Sequence, residues 1–102
     1  LEVSDQEAVS MRDQGALVLD VREPEEWADY HIPDSTLIPL GELPNRLSEV
    51  PEDRKIIVVC RTGHRSAQGR DILLAAGYTQ VTSLTGGLAQ WRDQGYPTVT
   101  GP

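Results

Sequence analysis

Two stretches of this chain are apolar at consecutive positions: Ala16-Leu17-Val18-Leu19, ending at Asp20, and Ile56-Ile57-Val58-Val59 after Lys55. A strand with one wet face alternates apolar and polar residues, whereas an uninterrupted apolar run suits a strand covered on both faces. Helix-like segments separate these and the other strand-like pieces, so they cannot pair as hairpins and need crossover connections. The pattern predicts an α/β fold with a mainly parallel central sheet of about five strands and helices on both faces. At 102 residues the chain suits one domain, residues 1–102, able to bury a core without disulfides or a structural metal.

Local signals place the elements. Ser4 followed by Glu7 is a capping-box pattern opening a helix through about Asp13, which Gly15 ends. Ala16 to Asp20 reads as a strand with Val21 at its exit. Glu23 to Trp27 reads as a helical turn with Pro24 where no amide is needed. Leu37-Ile38-Pro39 is a short strand, Glu42 to Leu47 a short helix, and Pro51 closes that region. Lys55 to Val59 is the clearest strand. Ser66 to Ala76 is the clearest helix, with Gly69, Ile72, Leu73 and Ala76 on one face and Gly77 as its cap. Val81 to Leu84 is a further strand, Gly86-Gly87 a turn, and Leu88 to Gln94 a last helix closed by Gly95.

Composition narrows the function. Sixteen acidic residues against nine basic ones give a net charge of −7, which repels nucleic acid and anionic lipid. No apolar run is long enough to span a bilayer and no signal-like segment opens the chain, so neither a membrane nor a nucleic-acid partner is expected, and the expected location is cytoplasmic. A single cysteine forms no internal bridge, and His31 and His64 are too far apart to resemble a ligand pair, so neither metal nor cofactor is expected.

That single cysteine is the chemical signal. Cys60 sits where the second apolar run breaks into Arg61-Thr62-Gly63-His64-Arg65, ahead of a helix-like segment. Loop amides and cations before a helix N-terminus hold a thiol as its anion and bind a second anion beside it. Arg54, Lys55, Arg61, Arg65 and Arg70 fall in a stretch without Asp or Glu, which predicts a cationic patch around Cys60. Ligands of such sheets bind outside the carboxyl ends of the strands, where Cys60 is expected.

Cys60-Arg61-Thr62-Gly63-His64-Arg65-Ser66 resembles the active-site loop of the rhodanese sulfurtransferases. Asp20-Val21-Arg22 resembles the family's Asp-Val-Arg element, His31-Ile32-Pro33 lies where its Gly-His-Ile-x-Gly-Ala segment would, and Gly86-Gly87, Trp91, Gly95 and Pro97 resemble its C-terminal pattern. The chain departs from that pattern with Tyr30 in place of the first glycine and Asp34-Ser35 in place of Gly-Ala. The resemblance implies a rhodanese-like domain in which the Cys60 thiolate takes the outer sulfur of thiosulfate, releases sulfite, and passes the sulfur to cyanide or a thiol acceptor, including a thioredoxin-like protein. It implies substrate contacts from Arg61, Thr62, Gly63, His64 and Arg65, with Arg61 gripping sulfonate oxygens, and support from Asp20, Arg22 and Ser66. By the same resemblance, the Cys-x4-Arg spacing is one residue shorter than in the related phosphatases and arsenate reductases, which ranks sulfur transfer above phosphoryl chemistry.

Plainer roles stand beside these. A lone cysteine after an apolar run is often a small core residue. Arg65 could brace the loop against a carboxylate such as Asp20, and Asp20 and Arg22 suit scaffold better than catalysis. His64 suits exposed filler about as well as substrate contact, His31 suits a structural role, and Trp27 and Trp91 suit packing. Two further functions stay open: a relay taking sulfur from a protein persulfide, and an inactive regulatory module, which burial of Cys60 would favour.

Overall fold

The computed structural model describes residues 1–102. Five strands form one sheet: β1 (Glu2–Val3), β2 (Leu17–Asp20), β3 (Thr36–Leu37), β4 (Ile56–Val59) and β5 (Val81–Leu84). Their order is β1-β5-β4-β2-β3, and every neighbouring pair is parallel. Four helices, α1 (Asp5–Asp13), α2 (Pro24–Asp29), α3 (His64–Ala75) and α4 (Gly87–Asp93), connect or flank them. The expected fold class is the one observed.

The uninterrupted apolar runs work as expected. Alternate residues of β2 and β4 point to opposite faces, so each strand feeds two cores. Leu17, Leu19, Ile56 and Val58 join Leu43, Val50, Leu73 and Tyr78 on the α3 face. Val18, Ile57 and Val59 join Ala8, Leu88 and Trp91 on the face of α1 and α4. Each such fully buried aliphatic side chain contributes about 1.5–3 kcal/mol relative to exposure.

Several boundaries differ from the sequence reading. Helix α3 starts at His64 rather than Ser66, because Gly63 (φ +109°) turns the chain directly into the helix and draws the end of the loop into its first turn. Helix α4 likewise takes in Gly87, read as part of a turn. The expected helix over Glu42 to Leu47 is instead two 3-10 turns, Leu43–Asn45 and Leu47–Glu49, because Arg46 (φ −126°, ψ 22°) leaves helical geometry between them and Pro51 holds Val50 extended after the second. Strand β3 begins one residue before the expected Leu37, and extended chain carries on beside β2, with the Ile38 and Leu40 amides donating to the carbonyls of Asp20 and Val21. Strand β1 carries no pattern in two residues and is held by its pairing with Ser83 and Leu84.

The departure at residue 34 has a structural cost. The Ser35 amide donates to the Ile32 carbonyl at 3.2 Å across a turn with Pro33 second and Asp34 third, and Asp34 is the one non-glycine residue with positive φ, +65°. A type II turn puts its third residue in this left-handed region, which suits glycine. Asp34 is exposed, and its side chain makes no hydrogen bond. Asp34→Gly is therefore expected to stabilise the domain by about 0.5–1 kcal/mol, read as a higher thermal unfolding midpoint. An unchanged or lower midpoint would show that the turn carries no strain.

Connections leave β2 toward β3 and β4 toward β5, in opposite directions across the sheet. The crevice for a ligand therefore lies between the carboxyl ends of β2 and β4. Asp20 pairs in register with Val59 at that point, and Cys60 follows.

Candidate active site

Cys60 leaves β4 at the crevice, and the loop after it is pinned from two sides. The Leu88 and Ala89 amides, in the first turn of α4, donate to the carbonyls of Cys60 and Arg61 at 2.8 and 3.1 Å. On the other side, the Gly63 amide donates to Cys60 Sγ at 3.0 Å. Gly63 is doubly required: its φ is left-handed, and a Cβ there would stand 2.7 Å from the Thr85 carbonyl oxygen.

Cys60 is only 1% exposed. Burial, the largest single influence on the thiol, pushes its pKa up, but the Ser66 hydroxyl and the amides of Ser66, Gly63 and Thr62 together outweigh it and hold the thiol below its ordinary value. The Ser66 hydroxyl has one proton, which it donates to the Gly63 carbonyl at 3.0 Å. Its help to the sulfur requires that proton to rotate, so the amides are the fixed part of the cradle. The pH profile of Cys60 alkylation by iodoacetamide is therefore expected to inflect below the usual thiol range, and Ser66→Ala to move the inflection upward. An inflection at or above that range in the parent would show that burial wins.

Arg65 does not meet Asp20. Its fork spans 39 residues to Glu26, Nη1 to Oε1 at 2.6 Å and Nη2 to Oε2 at 2.9 Å. Asp20 is already taken: fully buried, it accepts from Arg22 Nε at 3.0 and 3.1 Å, from Arg22 Nη2 at 2.9 Å and from the Arg22 amide at 3.0 Å. Arg22, 1% exposed, also donates to the Tyr30 carbonyl at 2.6 Å and ties α2's exit to the end of β2. Hydrogen bonding to Arg65 holds Glu26 down at about 2, against an ordinary 4.5, so the pair's contribution to stability is complete above pH 4.5 and is lost only as pH falls toward about 2. Arg65 is held up chiefly by Glu26, and also by the negative charge of Cys60 and Asp20.

The expected cationic patch shrinks accordingly. Arg54 and Lys55 precede β4, at the opposite end of the sheet from Cys60, and Arg54 donates to the Gly15 carbonyl. A strand of this length separates the two ends by about 16 Å. Arg70 lies farther along α3 on Ser83 and Asp71. With Arg65 compensated by Glu26, the exposed Arg61 is the one loop arginine without an ion pair. Thr62 and His64 are also exposed, with a marginal 3.5 Å contact between Oγ1 and Nδ1. His31 stacks on Trp27 with centroids 3.7 Å apart, its Nδ1 is 2.9 Å from the Trp27 carbonyl, and its backbone pairs with Val99. Trp91 is core and donates to the Pro97 carbonyl.

Sequence reasoning assigned no role here to Glu26, Gly87, Tyr30 or Arg92. Two signals were available: Gly86-Gly87 in the C-terminal pattern, and Tyr30, which stands where the resemblance expects glycine. No three His, Cys, Asp or Glu side chains converge as a metal site would require, and no helix is long and apolar enough to cross a membrane.

A crevice at the ends of β2 and β4, floored by a thiol that a loop amide holds and fronted by a helix N-terminus, defines a class of thiol-centred α/β domains. Residues 4–94 match the family model described as Rhodanese-like domain. A sulfurtransferase of Allochromatium vinosum is 39% identical over 98 residues, covering 93% of this chain and 92% of that protein. The thiosulfate sulfurtransferase GlpE of Pseudomonas syringae is 34% identical over 95 residues, covering 93% and 89%. The crystal structure of a rhodanese-related protein from Thermoplasma volcanium superposes with a TM-score of 0.89 at 32% identity, covering 96% of each chain. The chain belongs to the rhodanese-like domain family and is of the sulfurtransferase kind.

Proposed function

We propose that the domain moves a sulfane sulfur from thiosulfate, or a related small anionic donor, to cyanide or a thiol through a persulfide on Cys60. The observation that carries this reading is the Gly63 amide on Cys60 Sγ, in a loop that runs straight into the N-terminus of α3. That arrangement favours a thiolate. In the first step the Cys60 thiolate attacks the outer sulfur of thiosulfate. A bond forms between Cys60 Sγ and that sulfur, the sulfur–sulfur bond of the donor breaks, and its electron pair leaves with sulfite. In the second step the acceptor attacks the outer sulfur of the persulfide, and the electron pair of the breaking bond returns to Cys60. No external oxidant, reductant or general base is consumed.

The loop residues divide this work. Gly63, with the amides of Thr62 and Ser66, steadies charge on sulfur. Arg61 offers a free planar fork to the sulfonate oxygens. Arg65, its charge compensated by Glu26, braces the first turn of α3 against α2, and Thr62 and His64 form the exposed rim. Asp20 and Arg22 hold the floor and touch no reacting atom.

Incubation with thiosulfate is expected to raise the intact mass by one sulfur atom in the parent and not in Cys60→Ser, and cyanide is expected to reverse the gain. The 1% exposure of Cys60 favours a second reading, a closed module that binds without turning over. Under that reading the folded parent gains no sulfur and Cys60 resists alkylation until the protein unfolds. Loading only from a protein persulfide would instead identify a relay.

A further inference from the structure

A groove of about 360 Å³ lies beside the loop between α2 and α4, lined by Asp29 and Tyr30 on one side, Ala89, Arg92 and Asp93 on the other, and Arg61 at the loop end. It is in the size range of small-molecule sites. Arg22 and Glu26 also reach it, but their charges are spent on Asp20 and Arg65. Four exposed charged groups remain, Arg61, Arg92, Asp29 and Asp93, none in an ion pair within the chain.

We propose that this groove is the acceptor subsite and that it selects a small zwitterionic thiol, one carrying both carboxylate and ammonium groups. The proposal rests on the sulfur-transfer reading above and specifies its acceptor. The donor dianion engages only Arg61 at the loop end and a simple cation only the carboxylates, so each leaves part of this set of two free cations and two free carboxylates unmatched. A ligand with both charges satisfies both sets.

Position ties the groove to the chemistry. Arg61 follows Cys60 directly, and its carbonyl accepts from the amide of Ala89, itself a groove residue. From Ala89 to Asp93 is about one helical turn, about 6 Å, which suits a ligand of two or three residues whose thiol end meets the loop.

Tyr30 supplies the rigid element. The Arg92 guanidinium lies over its ring, 4.1 Å from the centroid, with buried Arg22 at 5.1 Å. Cation–π contact of this kind holds an otherwise free arginine over the groove. Glycine, which the resemblance expects at this position, has no ring to offer, so the site comes with this chain's own departure from the pattern. A protein acceptor is less well served: the large exposed apolar side chains are Leu1 and Val99, neither lines the groove, and a stable protein interface is anchored on apolar or aromatic groups.

In the step itself the acceptor thiol has lost its proton to solvent and attacks the outer persulfide sulfur. A bond forms between the acceptor sulfur and the transferred one, the bond to Cys60 Sγ breaks, and Cys60 keeps the electron pair as thiolate. The product is the acceptor's persulfide.

The test separates loading from discharge. The protein is loaded with thiosulfate or inorganic polysulfide, and stopped-flow kinetics follow discharge by glutathione, 2-mercaptoethanol and cyanide, the two thiols compared at equal thiolate concentration. Glutathione is expected to discharge the parent at least about tenfold faster than 2-mercaptoethanol, and Arg92→Gln to lower the glutathione-to-cyanide rate ratio about tenfold, the equivalent of one charged hydrogen bond. S-methylglutathione, which cannot react, is expected to shift the amide resonances of Asp29, Ala89, Arg92 and Asp93 in unloaded protein. Equal rates for the two thiols, or a ratio unmoved by Arg92→Gln, would overturn the proposal, and equal rates alongside fast discharge to a thioredoxin-like protein would assign acceptance to a protein. Failure to load from either donor would overturn the sulfur-transfer reading instead, and the S-methylglutathione titration would still decide whether the groove binds a zwitterion.

Discussion

Asp20→Ala is expected to cost about 3–5 kcal/mol of folding stability, because it leaves the Arg22 guanidinium buried without its counter-charge. Asp20 is fully buried and Arg22 1% exposed, and the carboxylate takes three contacts from the arginine side chain as well as its backbone amide. A domain of about this size is stable by about 5–15 kcal/mol in all, so the loss removes a large share. Urea unfolding followed by the fluorescence of Trp27 and Trp91 measures it. Replacing both partners by apolar residues, Asp20→Leu with Arg22→Met, is expected to recover more than half of the loss, because the cost lies in the stranded charge rather than in the missing bond. A single-variant loss below about 1 kcal/mol, the range of an exposed pair, would mean that water reaches Arg22 and that this pair does not hold the floor of the site.

The same pair shows where the sequence was informative and where it stopped. Asp20 and Arg22 stand two apart at a strand end, and a local ion pair at that spacing was within reach. Arg65 with Glu26 was not, since the pairing joins α3 to α2 across 39 residues and depends on how two helices meet over the sheet. Once Arg22 claims Asp20, Arg65 has to find another acid, and only the packed structure names it. The parallel sheet was legible because apolar runs on β2 and β4 encode burial on both faces. Strand β1 was not, because two residues carry no periodicity and β1 is seen as a strand only through its pairing with β5 at the sheet edge. For the site, the loop order from Cys60 to Ser66 was plain, whereas the number of cations around it was not. Nearness along the sequence grouped Arg54 and Lys55 with Cys60, and the length of a strand sets them apart. The groove was least legible, since Arg61, Arg92, Asp29 and Tyr30 come from separate segments and share a surface only after α2 and α4 have packed.

Gly87→Ala is expected to slow sulfur transfer about 10²-fold, the scale of an ångström-sized misplacement of a reacting group, although Gly87 touches no reacting atom. Its φ is +73°, and a Cβ would stand 2.2 Å from the Arg61 carbonyl oxygen and 2.6 Å from the Thr62 amide nitrogen. Both are backbone atoms of the reactive loop and cannot swing aside as a side chain would. The loop must move, and with it the Thr62 and Gly63 amides that hold charge on Cys60. Because the Leu88 and Ala89 amides bind the carbonyls of Cys60 and Arg61, any shift at the start of α4 also reaches the sulfur through those bonds. Gly95→Ala is the control that separates contact from strain. Gly95 has a similar φ of +83°, but nothing lies within 4 Å of its added Cβ, so that variant pays about 1–2 kcal/mol of backbone strain and should keep its transfer rate while folded. Persulfide loading rates of both variants, measured well below their unfolding temperatures, make the comparison. If the two lose rate equally, strain at the ends of α4 is the cause; if only Gly87→Ala does, the close approach of α4 to the loop sets the position of the nucleophile.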